Sequence, residues 1–167
     1  MIMGKLKQLN DQGVMAREQQ TMQDYVKNIL LNPPPVPGLK RTDTPRTFYY
    51  DPSMILQEDL RTSEGKMIYK AGTRLNPADF IPFKKTIVFL DADDSDQVAW
   101  FKAWSANNTK PRLIVLVGGP IFTIMNDWQQ RVYFDQEGRI TQRLGIQQVP
   151  AIVKQHENRL QIDEVLP

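Results

Sequence analysis

The fold is decided by the stretch Leu144-Gly145-Ile146-Gln147-Gln148-Val149-Pro150-Ala151-Ile152-Val153, in which a proline opens an apolar run typical of a strand. Proline has no backbone N–H, so it can begin a buried strand only where no hydrogen bond is required of it. The bond before a proline also adopts the cis form far more readily than other peptide bonds. We therefore predict a cis Val149–Pro150 bond, with Pro150 as a structural cis-proline.

The segments upstream of this stretch alternate between strand patterns and helix patterns. Thr86–Asp91 and Arg112–Val117 are continuous apolar runs, which indicate strands buried on both faces. Ser95 is a candidate cap for a helix between them, and a second helix pattern follows the second run. A strand fragment at 132–135 and a terminal hairpin over 151–162 complete the order. This succession predicts an α/β fold with a mixed sheet.

The same order resembles that of thioredoxin-like folds, in which a cis-proline follows a short helix end and precedes an apolar strand. The resemblance implies a thioredoxin-like domain over residues 84–167. It also implies that the position of the usual Cys-x-x-Cys motif falls on Ala92-Asp93-Asp94-Ser95, opposite Pro150. Because the chain has no cysteine, a thiol oxidoreductase and a thiolate metal site are both excluded.

Residues 1–31 contain no proline and are predicted to form a helical arm. An apolar stripe with a partial seven-residue repeat runs along it. Its members, which are candidate partner-binding residues, are Met15, Met22, Tyr25, Val26 and Ile29. Two interpretations stay open: the stripe packs on its own domain, or it docks on another protein. The arm is also a candidate for self-association.

Two segments lie between the arm and the domain. Residues 32–45 include Pro33-Pro34-Pro35-Val36-Pro37 and are predicted to be a proline-rich linker, acting as a semi-rigid spacer. Residues 46–83 are rich in strand-forming side chains and are predicted to be a small β-hairpin segment with a turn at Ser63-Glu64-Gly65-Lys66. This segment is too small to hold a core and is expected to lean on the domain that follows.

Asp91-Ala92-Asp93-Asp94-Ser95 is the motif most suggestive of catalysis. Its spacing resembles the first motif of haloacid-dehalogenase-type phosphohydrolases, so a magnesium-dependent phosphohydrolase using Asp91 and Asp93 is the alternative function. The other groups of that chemistry are not evident, and acidic residues are also favoured at the start of a helix by its dipole. The single histidine, His156, lies in a polar stretch that predicts a solvated turn.

Charge and hydropathy narrow the classes of partner. The chain has 21 Lys and Arg against 19 Asp and Glu, with no basic stretch of the kind that nucleic-acid binding requires. No apolar run approaches the roughly 20 residues that cross a bilayer. The first residues lack the zones of a signal peptide, which favours either the cytoplasm or a chain cut from a longer precursor.

Four stretches, in the same order along the chain, resemble the TraW family. They are Pro34-Pro35-Val36-Pro37-Gly38, Tyr50-Asp51-Pro52-Ser53, Asp96-Gln97-Val98-Ala99-Trp100, and Arg131-Val132-Tyr133-Phe134-Asp135-Gln136 with its continuation to Ala151. The resemblance implies a periplasmic, non-catalytic assembly factor of F-type conjugative type IV secretion. It implies partnership with a TrbC-like thioredoxin-like protein and other secretion-system components, without a cofactor and without contact to DNA. It supplies no catalytic residue.

Overall fold

A computed structural model describes residues 14–167, which form four α-helices and twelve β-strands. The helices are α1 (Val14–Leu31), α2 (Ser95–Asn107), α3 (Ile121–Trp128) and α4 (Arg139–Leu144). The strands are β1 (Lys40–Arg41), β2 (Arg46–Tyr50), β3 (Met54–Ile55), β4 (Leu60–Arg61), β5 (Met67–Tyr69), β6 (Arg74–Leu75), β7 (Thr86–Asp91), β8 (Arg112–Gly118), β9 (Val132–Phe134), β10 (Gln148–Val149), β11 (Ala151–His156) and β12 (Arg159–Glu164).

The centre of the fold is a six-stranded mixed sheet in the order β2-β12-β11-β7-β8-β9. β7, β8 and β9 are parallel to one another, whereas β11 is antiparallel to both β7 and β12. The predicted α/β class, the buried strands and the terminal hairpin are therefore confirmed. His156 ends β11 and is exposed, with its ring edge-on to Tyr49.

Two apolar clusters cover the two faces of the sheet, because successive side chains of a strand point to opposite sides. Val88 and Leu90 of β7 pack with Phe101 of α2 and Ile124 of α3. Phe89, between them in sequence, packs on the other face in the cluster that contains Leu144 of α4. The side chains of Val88, Phe89 and Leu90 are completely buried, which explains the continuous apolar run.

The proline-rich segment is attached to the domain, so the predicted spacer is wrong from Val36 onward. The Val36 side chain is only 7% exposed and belongs to one of the two clusters. Its N–H donates to the carbonyl of Val117 at 2.7 Å. Its Cγ1 also fills the space beside Gly138, where an added Cβ would lie 2.6 Å away. An isolated apolar residue among prolines gains more from this burial than from staying in solvent.

The predicted boundary between residues 46–83 and 84–167 is also wrong. β2 pairs antiparallel with β12 over Arg46–Tyr50 and forms one edge of the main sheet. Its strand-forming residues extend an available edge, which is more favourable than an isolated hairpin. The remaining part, residues 51–83, is a double hairpin in which β3 pairs with β6 and β4 pairs with β5. The predicted turn at 63–66 is confirmed, since the N–H of Thr62 donates to the carbonyl of Lys66 at 2.9 Å.

α1 forms the described part of the predicted arm. Every side chain from Arg17 to Tyr25 is exposed, and Met22 and Tyr25 are each 63% exposed. Residues 1–13 and the side chains of Met15, Val26 and Ile29 lie outside the described part of the chain. No helix within residues 14–167 is both long enough and apolar enough to cross a membrane.

Candidate functional site

The sequence points to the edge of the sheet where β7 ends and β11 begins. The Val149–Pro150 peptide bond is cis, the isomer expected from the sequence. The backbone before it is covered by the chain itself: the N–H of Lys40 donates to the carbonyl of Gln147 at 3.0 Å, and the N–H of Thr42 donates to that of Val149 at 2.9 Å. This edge is therefore occupied by β1, which pairs parallel with β10.

β1 also reaches the start of α2 through a charged side chain. The Arg41 guanidinium lies 2.7 Å from an Asp96 carboxylate oxygen and 3.2 Å from an Asp94 carboxylate oxygen. Arg41 is half exposed, so solvent screens both pairs and each contributes little to stability. Its effect is geometric: the guanidinium connects the segment over Pro150 with the first turn of α2.

The start of α2 is capped by Asp94, not by Ser95. Asp94 Oδ1 accepts the N–H groups of Asp96 at 3.0 Å and Gln97 at 3.3 Å. The buried Gln97 donates from Nε2 to Asp94 Oδ2 at 3.1 Å and accepts the N–H of Asp91 at 2.9 Å. Burial alone raises the pKa of Asp94, but the hydrogen bonds from Gln97 and Asp96 and the Arg41 charge outweigh it and lower this pKa. The carboxylate thus has a structural role.

Asp91 differs from Asp94 because its carboxyl group is half-buried and is paired with no cation among residues 14–167. Burial raises the pKa of Asp91, and the nearby Asp93 and Asp94 charges add to the effect, although the N–H of Asp93 donates to Oδ1 at 2.9 Å. Oδ1 also lies against Gly118, where an added Cβ would be 2.5 Å away. A side chain at this position of β8 would therefore displace the Asp91 carboxylate.

The magnesium-dependent phosphohydrolase has no support in this geometry. Asp94 is engaged by Arg41 and by the helix cap, and one oxygen of Asp91 is engaged by the N–H of Asp93. Within residues 14–167, no group of three or more His, Cys, Asp or Glu side chains is placed to hold a metal ion. Asp91 is the last residue of β7, and Asp93 is an exposed residue of the turn that follows.

The buried carboxylate of Glu164 stabilises the backbone just before Pro150. Glu164, at the end of β12, accepts the N–H of Gln147 at 2.7 Å and the N–H of Gln148 at 3.1 Å. It also accepts hydrogen bonds from Gln148 Nε2 at 3.1 Å and from the guanidinium of Arg46 of β2. Neither Glu164 nor Arg46 stands out in the sequence, because only the closed sheet brings β2, β12 and β10 together.

Exposed apolar side chains elsewhere on the molecule are better candidates for binding another protein than the edge at β7 and β11, which the chain itself covers. Met22 and Tyr25 of the predicted stripe are on α1. The double hairpin adds a second set that sequence analysis did not identify, although Phe80-Ile81-Pro82-Phe83 was a visible signal. Its exposed members are Met54, Ile55, Leu60, Met67, Ile68, Phe80 and Ile81.

A groove of about 410 Å³ lies next to the point where α1 joins the domain. Pro33 and Pro34 form part of its lining, together with Ile121 and Phe122 of α3 and Phe134 of β9. Half of the Phe122 side chain is exposed. The prolines thus lie beside α3 before the chain is buried at Val36.

Comparison with known proteins relates the chain to one family. It is 41% identical, over an alignment of 155 residues, to the protein "Protein TraW" of Escherichia coli (strain K12). The alignment covers 91% of this chain and 72% of that relative. The chain belongs to the TraW family.

Membership of the TraW family is shown by this relative. No family model matches the chain. No solved structure matches it either. The 41% identity to Protein TraW confirms the TraW family resemblance noted in the sequence.

Proposed function

We propose that this TraW family chain is a non-enzymatic assembly factor for conjugative pilus formation and F-type type IV secretion. It acts in the periplasm, through contacts with other proteins. The observation that carries the proposal is the 41% identity to Protein TraW over 91% of the chain. Periplasmic location is tested by fractionating cells that carry the natural gene. Recovery of the protein in the cytoplasm would contradict it.

The non-enzymatic part of the proposal is supported by a thioredoxin-like strand order in a chain that has no cysteine. Strands β7 and β8 are parallel and are connected through α2. β11 starts directly after Pro150, pairs antiparallel with β7 and forms a hairpin with β12. This is the arrangement expected of a thioredoxin-like sheet. At the position of the redox motif the chain has Ala92-Asp93-Asp94-Ser95, in which Asp94 caps a helix. We propose that the chain uses this frame as a scaffold.

The arm is the proposed docking element for a TrbC-like periplasmic protein. Met22 and Tyr25 lie three residues apart, so they face the same side of α1. Both are largely exposed, which leaves this apolar surface available to a partner. Met15, Val26 and Ile29 complete the proposed stripe by their spacing. Self-association of two arms would use the same stripe and is distinguished by the experiment below.

The experiment compares two variants of α1 that add the same charge. Met22→Glu/Tyr25→Glu places two carboxylates on the stripe, whereas Gln20→Glu/Gln23→Glu places them outside it. We expect the first variant to lose co-purification of a TrbC-like protein from an envelope extract by at least about tenfold, because burial of an unpaired carboxylate is unfavourable. The second variant should behave like the unmodified protein. Equal loss in both variants would contradict the stripe.

Two further measurements complete the test. Deletion of residues 1–31 is expected to leave residues 40–167 folded, since Val36 and the sheet lie beyond the deletion, while partner binding is lost. Unfolding of the domain would show that the arm belongs to its core. Analytical ultracentrifugation of the purified protein separates self-association, which gives dimers without any partner, from docking on a TrbC-like protein.

A further inference from the structure

The positive charge of the chain is concentrated in one part of the double hairpin and the loop that follows it. Residues 66–85 contain five cations and only one acid, Asp79, which is a net charge of +4. The whole chain has a net charge of +2, so the remainder has a net charge of −2. Arg74 pairs with Asp51. The four lysines form no ion pair in the described part of the chain and are all exposed.

Large apolar side chains are exposed within the same residues. Phe80 is 59% exposed and Ile81 is 75% exposed, the highest value among the large hydrophobic side chains that the structure describes. Met67 and Ile68 of β5 are also exposed. The rings of Tyr69 and Phe80 meet edge to face, with centroids 6.4 Å apart, so β5 and the loop at 80–83 are neighbours.

The structure holds this loop in place while its apolar side chains stay outside. Asn76 Nδ2 donates to the carbonyl of Asn158 at 2.7 Å, before the loop. The N–H of Phe83 donates to Gln155 Oε1, after it. Both acceptors belong to the β11–β12 hairpin, so the loop is anchored at its two ends on the main sheet.

We propose that this surface docks on an anionic lipid bilayer. The lysine-flanked patch comprises Met67, Phe80 and Ile81 with Lys66, Lys70, Lys84 and Lys85. Apolar side chains on an exposed loop can enter the headgroup region, and lysines beside them attract anionic headgroups. Lysine suits this role because its aliphatic stem lies along apolar surface while its ammonium group stays in water. The proposal does not depend on the protein partner proposed above.

Vesicle co-sedimentation with the purified full chain tests the proposal. Vesicles of phosphatidylglycerol and phosphatidylethanolamine are compared with vesicles of phosphatidylcholine alone. We expect binding to the anionic vesicles at low ionic strength and its loss at high salt, because the attraction of exposed charges is screened. Absence of binding to the anionic vesicles would overturn the proposal.

Matched variants locate the binding. Lys84→Gln/Lys85→Gln is expected to weaken binding about 25-fold, from roughly fivefold for each lysine near the surface. Lys102→Gln/Lys110→Gln removes the same charge from α2 and the loop after it, and should leave binding within about twofold. Equal weakening by both pairs would show only a general charge effect and would overturn the patch.

The apolar part is tested in the same way. Ile81→Ser should weaken binding about tenfold or more, whereas Leu166→Ser, at another exposed apolar position, should not. Both side chains are more than half exposed, so neither change should alter the fold, and tryptophan fluorescence checks this. If Ile81→Ser left lipid binding unchanged but abolished capture of an acidic protein from an envelope extract, the patch would be a protein-docking surface and the lipid proposal would be wrong.

Discussion

The guanidinium of Arg46 closes on the carboxylate of Glu164 with two hydrogen bonds, from Nε to Oε2 at 2.6 Å and from Nη2 to Oε1 at 2.9 Å. The Glu164 side chain is completely buried, whereas that of Arg46 is 39% exposed. The same carboxylate accepts the N–H groups of Gln147 and Gln148. One side chain thus joins the edge strand β2 to β12 and to the backbone that precedes Pro150.

Removing the cation of this pair should destabilise the domain strongly. Arg46→Met leaves the buried Glu164 carboxylate without its charge partner, for which we expect a loss of about 3 kcal/mol in the free energy of unfolding. The matched change is Lys154→Met, which breaks the more exposed pair with Asp163 and should cost less than about 1 kcal/mol. Urea unfolding followed by tryptophan fluorescence measures both. Equal losses would contradict the special role of Glu164.

The same carboxylate should make stability depend on acid pH. Burial raises the pKa of Glu164, but hydrogen bonds from Arg46, Gln147 and Gln148 outweigh it, so its folded-state pKa lies below the ordinary 4.5. The unfolded chain then binds this proton more tightly, and stability is lost as pH falls from 4.5 through the folded-state pKa. We expect the stability difference between the unmodified protein and Glu164→Gln to shrink over this range. Unfolding curves between about pH 7 and about pH 3 measure it, and a constant difference would contradict it.

Asp91 should change the stability of the domain with pH in the direction opposite to that of Glu164. Burial raises its folded-state pKa above the ordinary 3.8, so its favourable contribution is present at lower pH and is lost as pH rises through the raised pKa. Asp91→Asn should therefore increase the melting temperature at neutral pH, because it removes a half-buried charge and keeps an oxygen that can accept the N–H of Asp93. Asp127→Asn, at an exposed position of α3, is the control. A lower melting temperature for Asp91→Asn would show that its charge is needed.

The contact between Val36 and Gly138 can be tested with two glycines of similar backbone. Gly138 has φ +70° and no room for a Cβ, whereas Gly65 has φ +83° and open space. Gly65→Ala should cost about 1 kcal/mol from the left-handed backbone alone. Gly138→Ala should cost about 3 kcal/mol, since overpacking is added.

A double-mutant cycle assigns the extra cost of Gly138→Ala. If the added methyl group collides with Val36 Cγ1, then Val36→Ala should be less harmful in the Gly138→Ala protein than in the unmodified one. Additive free energies of unfolding, measured by urea titration, would mean that Val36 does not occupy this space in solution.

Sequence patterns were sufficient for the centre of this fold and insufficient for its margins. Val88, Phe89 and Leu90 are predictable because burial on both faces demands an unbroken apolar run. Local propensity places β2 in a separate segment, because its pairing with β12 joins residues far apart in the sequence and no local pattern contains information about such pairs. Val36 was missed for the same reason, since the space that it fills is created by Gly138.

The candidate site likewise has features that the sequence predicts and features that only the structure shows. Pro150 could be identified from its own neighbours, and the absence of cysteine excluded thiol chemistry without any structure. The sequence predicts Ser95 as the cap, whereas Asp94 is the cap in the structure, because both residue types serve equally well at this position. The role of Arg41 required the path of the chain over Pro150, which no local pattern specifies.

The burial of Val36 also determines which part of the domain would receive a mechanical force applied to the arm. Only residues 32–35 separate the end of α1 from this anchor, and they include three consecutive prolines with little slack to extend. Val36 is hydrogen-bonded to Val117 of β8, an interior strand between β7 and β9. A pull on the arm would therefore strain the middle of the sheet through the hydrogen bond between Val36 and Val117.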